Sequence, residues 1–300
     1  MLRIVVAYAV MCSIWGTTWF AIKIGLRGLP PVTGAGVRFI VAALFLWLLA
    51  RAVPGPRGPA PSRRLVLILA LTLFGGNYAL TYYSETGLAS GLVAVLFGTL
   101  PFFVFGLSAV LAKERFGALA VVGAALALAG VATISLGSDT RGSLPFVLAA
   151  LGASALSAFA NVELKRESEA DPFRTLPPAM LLSGVVMALA GSLFEHPDWA
   201  RGASPESIGA VLYLGVLGSS VAFYLNHWLL QRLPAWVIGL SALIIPVIAV
   251  AVGALFAGEA FGPRELLGAG LVIAGIWLAL RSPREAAPLP APRRASASHS

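Results

Sequence analysis

The chain has 300 residues, of which 58% are apolar and only 11% are Asp, Glu, Lys or Arg, and its mean hydropathy is +0.88. A soluble domain carries about 25% charged residues, so this composition excludes a water-covered globule and points to an all-α integral membrane protein. The single cysteine, Cys12, excludes a disulfide framework and a cysteine metal site.

Ten apolar segments are expected as spans: 4–26, 33–51, 65–86, 90–111, 117–136, 143–164, 175–194, 206–230, 235–257 and 264–281. None alternates as a barrel strand would. The first follows Arg3, lacks a small-x-small cleavage site and runs on to Lys23 and Arg27, so it reads as a transmembrane helix rather than a signal peptide. Its Trp15, Thr18 and Trp19 share one face, which either walls a cavity or meets lipid. Pro30-Pro31 precedes the second span, which carries Arg38. The third carries Asn77, Tyr78, Thr81, Tyr82 and Glu85, with 78, 82 and 85 on one face.

Pro101 lies in the fourth span and Pro246 in the ninth; each frees a carbonyl and is a candidate hinge or a static kink. Asn161, in the sixth, either faces a cavity or bonds a neighbouring helix. The eighth carries Phe223, Asn226, His227 and Trp228. The tail 282–300 is rich in Pro, Arg, Ala and Ser and reads as disordered.

Charge placement orients the chain. With the N-terminus inside, Arg3, Arg51, Arg57, Arg63, Arg64, Lys113, Arg115, Lys165, Arg166, Arg174 and Arg232 all fall on the cytoplasmic side. So do Arg281, Arg284, Arg293 and Arg294, whereas only Lys23, Arg27, Arg141, Arg201 and Arg264 fall outside. This positive-inside bias puts both termini in the cytoplasm. It accounts for the net charge of +8 and the pI near 10.2 without nucleic acid.

An offset of 145 residues superposes the chain on itself without gaps. Leu88 falls on Leu233, Pro101 on Pro246, Glu114 on Glu259, Gly123 on Gly268 and Gly130 on Gly275. The element Ala-x-Glu-x-Phe-Gly occurs only at 112–117 and 257–262. The expected architecture is therefore two inverted five-helix repeats around a central cavity, 1–137 and 143–281, as in secondary transporters. The offset also places Tyr78 on Phe223, Thr81 on Asn226 and Tyr82 on His227.

The run Ser13-Ile-Trp-Gly-Thr-Thr-Trp-Phe-Ala-Ile-Lys23, with Pro30-Pro31, Arg38-Phe39 and both Ala-x-Glu-x-Phe-Gly elements, resembles the EamA-type branch of the drug/metabolite transporter superfamily. In length and layout the chain is similar to YddG-like aromatic amino-acid exporters. The resemblance covers residues 4–281 and implies a ten-helix metabolite exporter of the bacterial inner membrane. The second half departs from the pattern, with Ser183 where Arg38 would recur and no counterpart of Trp15-Gly16.

Trp15, Trp19, Asn77, Tyr78, Thr81, Tyr82, Asn161, Phe223, Asn226 and His227 are thus the candidate substrate-binding residues. Phe97, Thr99, Trp236 and Ser241 are weaker candidates. His227, the intramembrane histidine, suits either proton coupling or a substrate hydrogen bond. Lys23, Glu85 and Glu163 stand near span ends and are read as snorkelling to water. Arg38 is read as a structural anchor, and Glu114 and Glu259 as anchors of helix-joining turns. No acid lies in residues 4–22, so the first-helix glutamate mechanism of small multidrug antiporters has no counterpart. No P-loop, dinucleotide fingerprint, zinc motif or convergent catalytic set appears, which argues against an enzyme, a cofactor or a metal; a channel would show rings of charge or a filter. The expected partners are a small-molecule substrate and the lipid bilayer. Aromatic walls with few charges suit amphipathic, zwitterionic or neutral metabolites, with apolar or aromatic amino acids foremost and multidrug export as the alternative.

Overall fold

A computed structural model describes residues 1–53, 57–112, 117–135, 144–167, 169–233, 238, 241–259 and 261–281. Glu114, Trp236 and the tail lie outside the described residues. The helices are α1 (Leu2–Gly25), α2 (Pro31–Ala52), α3 (Arg63–Gly87), α4 (Ser90–Phe97), α5 (Leu100–Ala112) and α6 (Ala118–Ser135). There follow α7 (Leu144–Arg166), α8 (Pro172–Phe194), α9 (Pro205–Leu230), α10 (Ser241–Phe256) and α11 (Pro263–Leu280).

Helix starts follow local chemistry. Ser62, Asp171 and Ser204 each accept a main-chain N–H at the head of α3, α8 and α9, and proline opens α2, α8, α9 and α11, where its missing N–H costs nothing. The head of α2 has no such local cap. It takes a distant one: Glu195, just past α8, accepts from Val32 N (2.9 Å), Thr33 N (2.8 Å) and Thr33 Oγ1 (2.8 Å). Glu259 does the same for α4, accepting from Ser90 N (2.8 Å) and Gly91 N (3.3 Å). Its side chain therefore anchors a helix far away in sequence.

The expectation of ten spans in two inverted five-helix halves needs correction. Among the described residues six helices, α1, α2, α3, α7, α8 and α9, are long and apolar enough to cross a membrane. The segments expected as spans four, five, nine and ten are not among the six; the apolar helical stretches described there run Ser90–Val104, Ala118–Gly130, Ile244–Phe256 and Leu266–Ala279. The fourth is also interrupted, since α4 ends at Phe97 and α5 begins at Leu100. Eight residues of α-helix reach only ~12 Å against a hydrocarbon core of ~30 Å. Hydropathy runs unbroken through Gly98-Thr99 and so conceals the break. Pro101 consequently sits in the first turn of α5, whereas Pro246 stands inside α10.

The 145-residue correspondence does mark two close helix pairs, α2 along α8 and α6 along α11. A Cβ on Gly123 would come 2.5 Å from the Gly275 carbonyl oxygen, and one on Gly130 2.5 Å from that of Gly268, so α6 and α11 cross antiparallel with their backbones in contact. Gly184, facing Gly36 and Ile40, makes the corresponding approach between α8 and α2. Lipid tails are as apolar as leucine, so such small-residue contacts, rather than water exclusion, hold helices together in a bilayer. The outward faces are bare hydrocarbon: Leu44, Trp47 and Leu48 on α2, and Leu182, Val186 and Leu189 on α8, are exposed. This is a multi-pass α-helical membrane protein.

Both α3 and α9 contain a π-helical run, Leu69–Gly76 and Tyr213–Val221, at matching places in the 145-residue register. Such runs are rare and cluster at functional sites. Each leads directly into the aromatic-polar stretch of its helix, Asn77–Gly87 or Ala222–Leu230.

Candidate functional site

The middle of the molecule is aromatic. Phe39 packs edge-on against Phe74 (centroids 5.2 Å apart) and Tyr78 (4.8 Å), and Phe223 meets Phe74 (5.2 Å), Trp15 (5.5 Å) and Tyr78 (6.5 Å). Four helices, α1, α2, α3 and α9, thus bring their rings together where an open central cavity was expected. Trp19 belongs to a neighbouring cluster, 5.5 Å from Phe97, and its indole nitrogen is buried without a partner.

Arg38 stands in this aromatic setting with no solvent exposure. Its Nε donates to Ser219 Oγ at 2.8 Å, and its guanidinium lies 4.6 Å from the centre of the Tyr78 ring and 5.5 Å from that of Phe39. Both terminal nitrogens are buried without a hydrogen-bond partner. Along the same face of α3 as Tyr78 come Tyr82 and Glu85, also buried, with the Tyr82 hydroxyl and both Glu85 carboxylate oxygens unpartnered. Buried polar groups are nearly always satisfied, and an isolated buried ion costs several kcal/mol. Three such side chains on one track are therefore the strongest local anomaly among the described residues.

At one end this track meets a cavity of about 400 Å³ lined by Lys23, Arg27, Pro31, Glu85, Thr86 and Glu259. Lys23 Nζ donates to the main-chain carbonyls of Glu85 (2.7 Å) and Leu88 (2.6 Å), satisfying the C-terminal end of α3. A second hollow of about 520 Å³, walled by Ile244, Val247, Ile273 and Trp277 between α10 and α11, is almost wholly apolar.

The sequence candidates distribute unevenly around this track. Asn77 Nδ2 donates to the Leu73 carbonyl (2.9 Å), and Thr81 Oγ1 donates to Asn77 Oδ1 (3.3 Å), so both are engaged within α3. Asn161 Nδ2 donates to the Ser157 carbonyl (2.8 Å) on its own helix. Asn226 is buried. His227 Nε2 lies 3.0 Å from the Ala170 carbonyl, in the turn between α7 and α8. The offset that equates Tyr82 with His227 therefore does not bring the two to one place.

The charged groups depart further from expectation. Glu163 does not snorkel; it is buried and pairs with Arg64 (2.9 Å) and Arg166 (2.5 Å). Glu85 is not at the water surface either; it is fully buried, at the wall of a cavity it shares with Lys23, Arg27, Pro31, Ala257 and Glu259. Arg38 has the expected anchor to Ser219, but two of its nitrogens remain for other work. Ser219, Phe39 and Phe74 were not among the candidates. The signal for Glu85 was present in the i, i+4, i+7 spacing with Tyr78 and Tyr82.

The sequence model of the EamA-like transporter family matches this chain twice, over residues 2–136 and 144–281. The chain belongs to the EamA-like transporter family. It is an α-helical, membrane-spanning transporter of the drug/metabolite transporter superfamily, not an enzyme. Protein PagO of Salmonella typhimurium is 30% identical over 276 residues, covering 89% of each chain. The uncharacterized inner membrane transporter YedA of Escherichia coli is 30% identical over 88% of this chain and 86% of its own. A probable amino-acid metabolite efflux pump of Salmonella typhimurium is 27% identical over 88% of this chain and 90% of its own. A crystal structure at 20% identity shares the fold, with a TM-score of 0.67 over 93% of this EamA-like chain and 96% of that one. These relatives are not aromatic amino-acid exporters by name.

Proposed function

We propose that this transporter exports small amphipathic metabolites, apolar and aromatic amino acids foremost, across the inner membrane by alternating access, with both termini cytoplasmic. The observation that carries the reading is the Arg38 guanidinium, fully buried, framed by Phe39 and Tyr78, and holding two nitrogens free. A planar fork of N–H donors matches a carboxylate, and rings from four helices offer the apolar surface that an amphipathic solute needs. The rings now touch, so entry of a solute requires Phe223 and Trp15 to part from Tyr78 and Phe74. The kinship with an amino-acid metabolite efflux pump supports the same substrate class.

The test is purified protein in liposomes loaded with labelled phenylalanine, leucine and a broad metabolite panel. Phenylalanine and leucine should move, and Phe223→Ala or Tyr82→Ala should slow them at least tenfold. Movement of neither amino acid while other metabolites pass would overturn the substrate class.

A further inference from the structure

We infer that Arg38 and Glu85, with the Tyr82 hydroxyl between them, form a two-ended recognition site for an amphoteric solute, the guanidinium taking its carboxylate and Glu85 its primary ammonium. The inference rests on the transport reading above and adds the second pole.

The two ionisable side chains are both fully buried, and among the described residues neither lies within ion-pair distance of the other or of any other side-chain charge. They lie on one track. Arg38 covers the face of Tyr78, and Tyr82 and Glu85 continue that face of α3 by one and two turns. Other local charges are already committed. Lys23, from α1, spends two donors on the carbonyls of Glu85 and Leu88. Glu259, from the segment before α11, is occupied with the amides of Ser90 and Gly91. Arg38 Nε is given to Ser219, and its terminal nitrogens stand near the Tyr78 and Tyr82 side chains without a hydrogen bond of normal geometry. What remains unmatched is one cationic fork, one neutral hydroxyl and one carboxyl, in that order along the helix.

Charge balance then selects the ligand. With Glu85 ionised the pair sums to zero, and a zwitterion then satisfies both poles without bringing net charge into the membrane. A simple acid would engage Arg38 and leave Glu85 as it is; a simple amine would do the reverse. Either one gains a single pole where a zwitterion gains two, and carries net charge into the membrane at a cost, so the site favours the zwitterion over both. Access is provided by the cavity of about 400 Å³, whose wall includes Glu85 and whose size suits a single small metabolite.

Three probes test this: phenylalanine, N-acetylphenylalanine, which keeps only the carboxylate, and phenethylamine, which keeps only the amine. Each competes against labelled phenylalanine on the wild-type protein, on Glu85→Gln and on Arg38→Gln, reconstituted in liposomes at one fixed pH on both faces. The wild type should prefer phenylalanine to each analogue at least tenfold. Glu85→Gln should erase the preference over N-acetylphenylalanine while keeping that over phenethylamine, and Arg38→Gln should do the opposite. Detergent melting and monodispersity of each variant, with Glu85→Asp as the variant expected to retain the preference, separate recognition from misfolding.

Equal weakening toward all three probes by a folded Glu85→Gln would overturn the inference, as would unchanged selectivity combined, in a parallel assay with a pH gradient imposed, with loss of response to that gradient. That second pattern would make Glu85 a proton carrier. If phenylalanine moves but Glu85→Gln changes nothing, the transport reading stands and this inference falls. If neither phenylalanine nor leucine moves in the wild type, the transport reading itself fails.

Discussion

Replacing Gly123 by alanine places a methyl 2.5 Å from the Gly275 carbonyl oxygen and 2.8 Å from the Ala279 amide nitrogen, both backbone atoms that cannot swing aside. Relief requires α6 and α11 to separate by several tenths of an ångström along a contact that also includes Gly130 and Gly268. Overpacking of this kind costs about 1–3 kcal/mol, and the better helix propensity of alanine returns up to about 1 kcal/mol. The expected net loss is therefore centred on about 1–2 kcal/mol, a fall in midpoint of roughly 2–8 °C at ~2–4 °C per kcal/mol for a large domain. Gly270 provides the control on the same helix, since a Cβ there meets nothing within 4 Å. Gly270→Ala should leave the midpoint unchanged or raise it slightly. Gly275→Ala strains the same crossing as Gly123→Ala, so the double variant should lose less than the sum of the two. The assay is fluorescence-detected size exclusion of heated, detergent-solubilised protein. A Gly123→Ala protein that melts at or above the wild-type temperature would refute the backbone-contact reasoning.

Glu195→Ala strips three hydrogen bonds from the head of α2 and leaves buried Thr33 unsatisfied, so the same assay should show a loss of about 2–4 kcal/mol. Ser219→Ala removes the one side-chain anchor of Arg38 and should raise the half-saturating concentration for phenylalanine several-fold in liposomes while altering the melting point little. The Ser62 hydroxyl and amide donate to Glu167 at 2.6 and 2.9 Å and hold its carboxyl below the usual range, tying the start of α3 to the end of α7. A lowered carboxyl favours the folded state above the ordinary carboxylate range and loses that contribution as the pH falls through its own value. Ser62→Ala should therefore move the Glu167 titration upward, read by NMR of labelled glutamate, and remove its share of acid sensitivity.

Much of the helical layout is written in the sequence, because length, apolarity and proline or glycine punctuation are local properties. Residues 31–52 illustrate this: the prolines, the apolar run and the end near Arg51 coincide with α2 to within two residues of expectation. The break at Gly98-Thr99 does not announce itself, since neither residue lowers hydropathy enough to part a window of twenty. The site was legible in kind but not in charge. Tyr78, Tyr82 and Phe223 follow from spacing and the 145-residue register, whereas counting residues from a span's end placed Glu85 at the water surface. Glu85 shares a cavity wall with segments some sixty residues earlier and a hundred and seventy later. No window along α3 contains them. Equally, the register equates Tyr82 with His227 but is blind to which end of the bundle each residue occupies.

The π-helical runs at Leu69–Gly76 and Tyr213–Val221 give α3 and α9 a coarse angular adjustment. Each residue of an α-helix turns the chain by about 100°, so one residue taken into or released from such a run swings everything beyond it by roughly that angle while shifting it axially by only ~1.5 Å. For α3 that would carry Tyr78, Tyr82 and Glu85 from the Arg38 side to another face; for α9 it would turn Phe223 away from Trp15. The two helices that frame the guanidinium are thus built like combination dials, with the number read off at the aromatic-polar track set by a count of backbone hydrogen bonds one turn away.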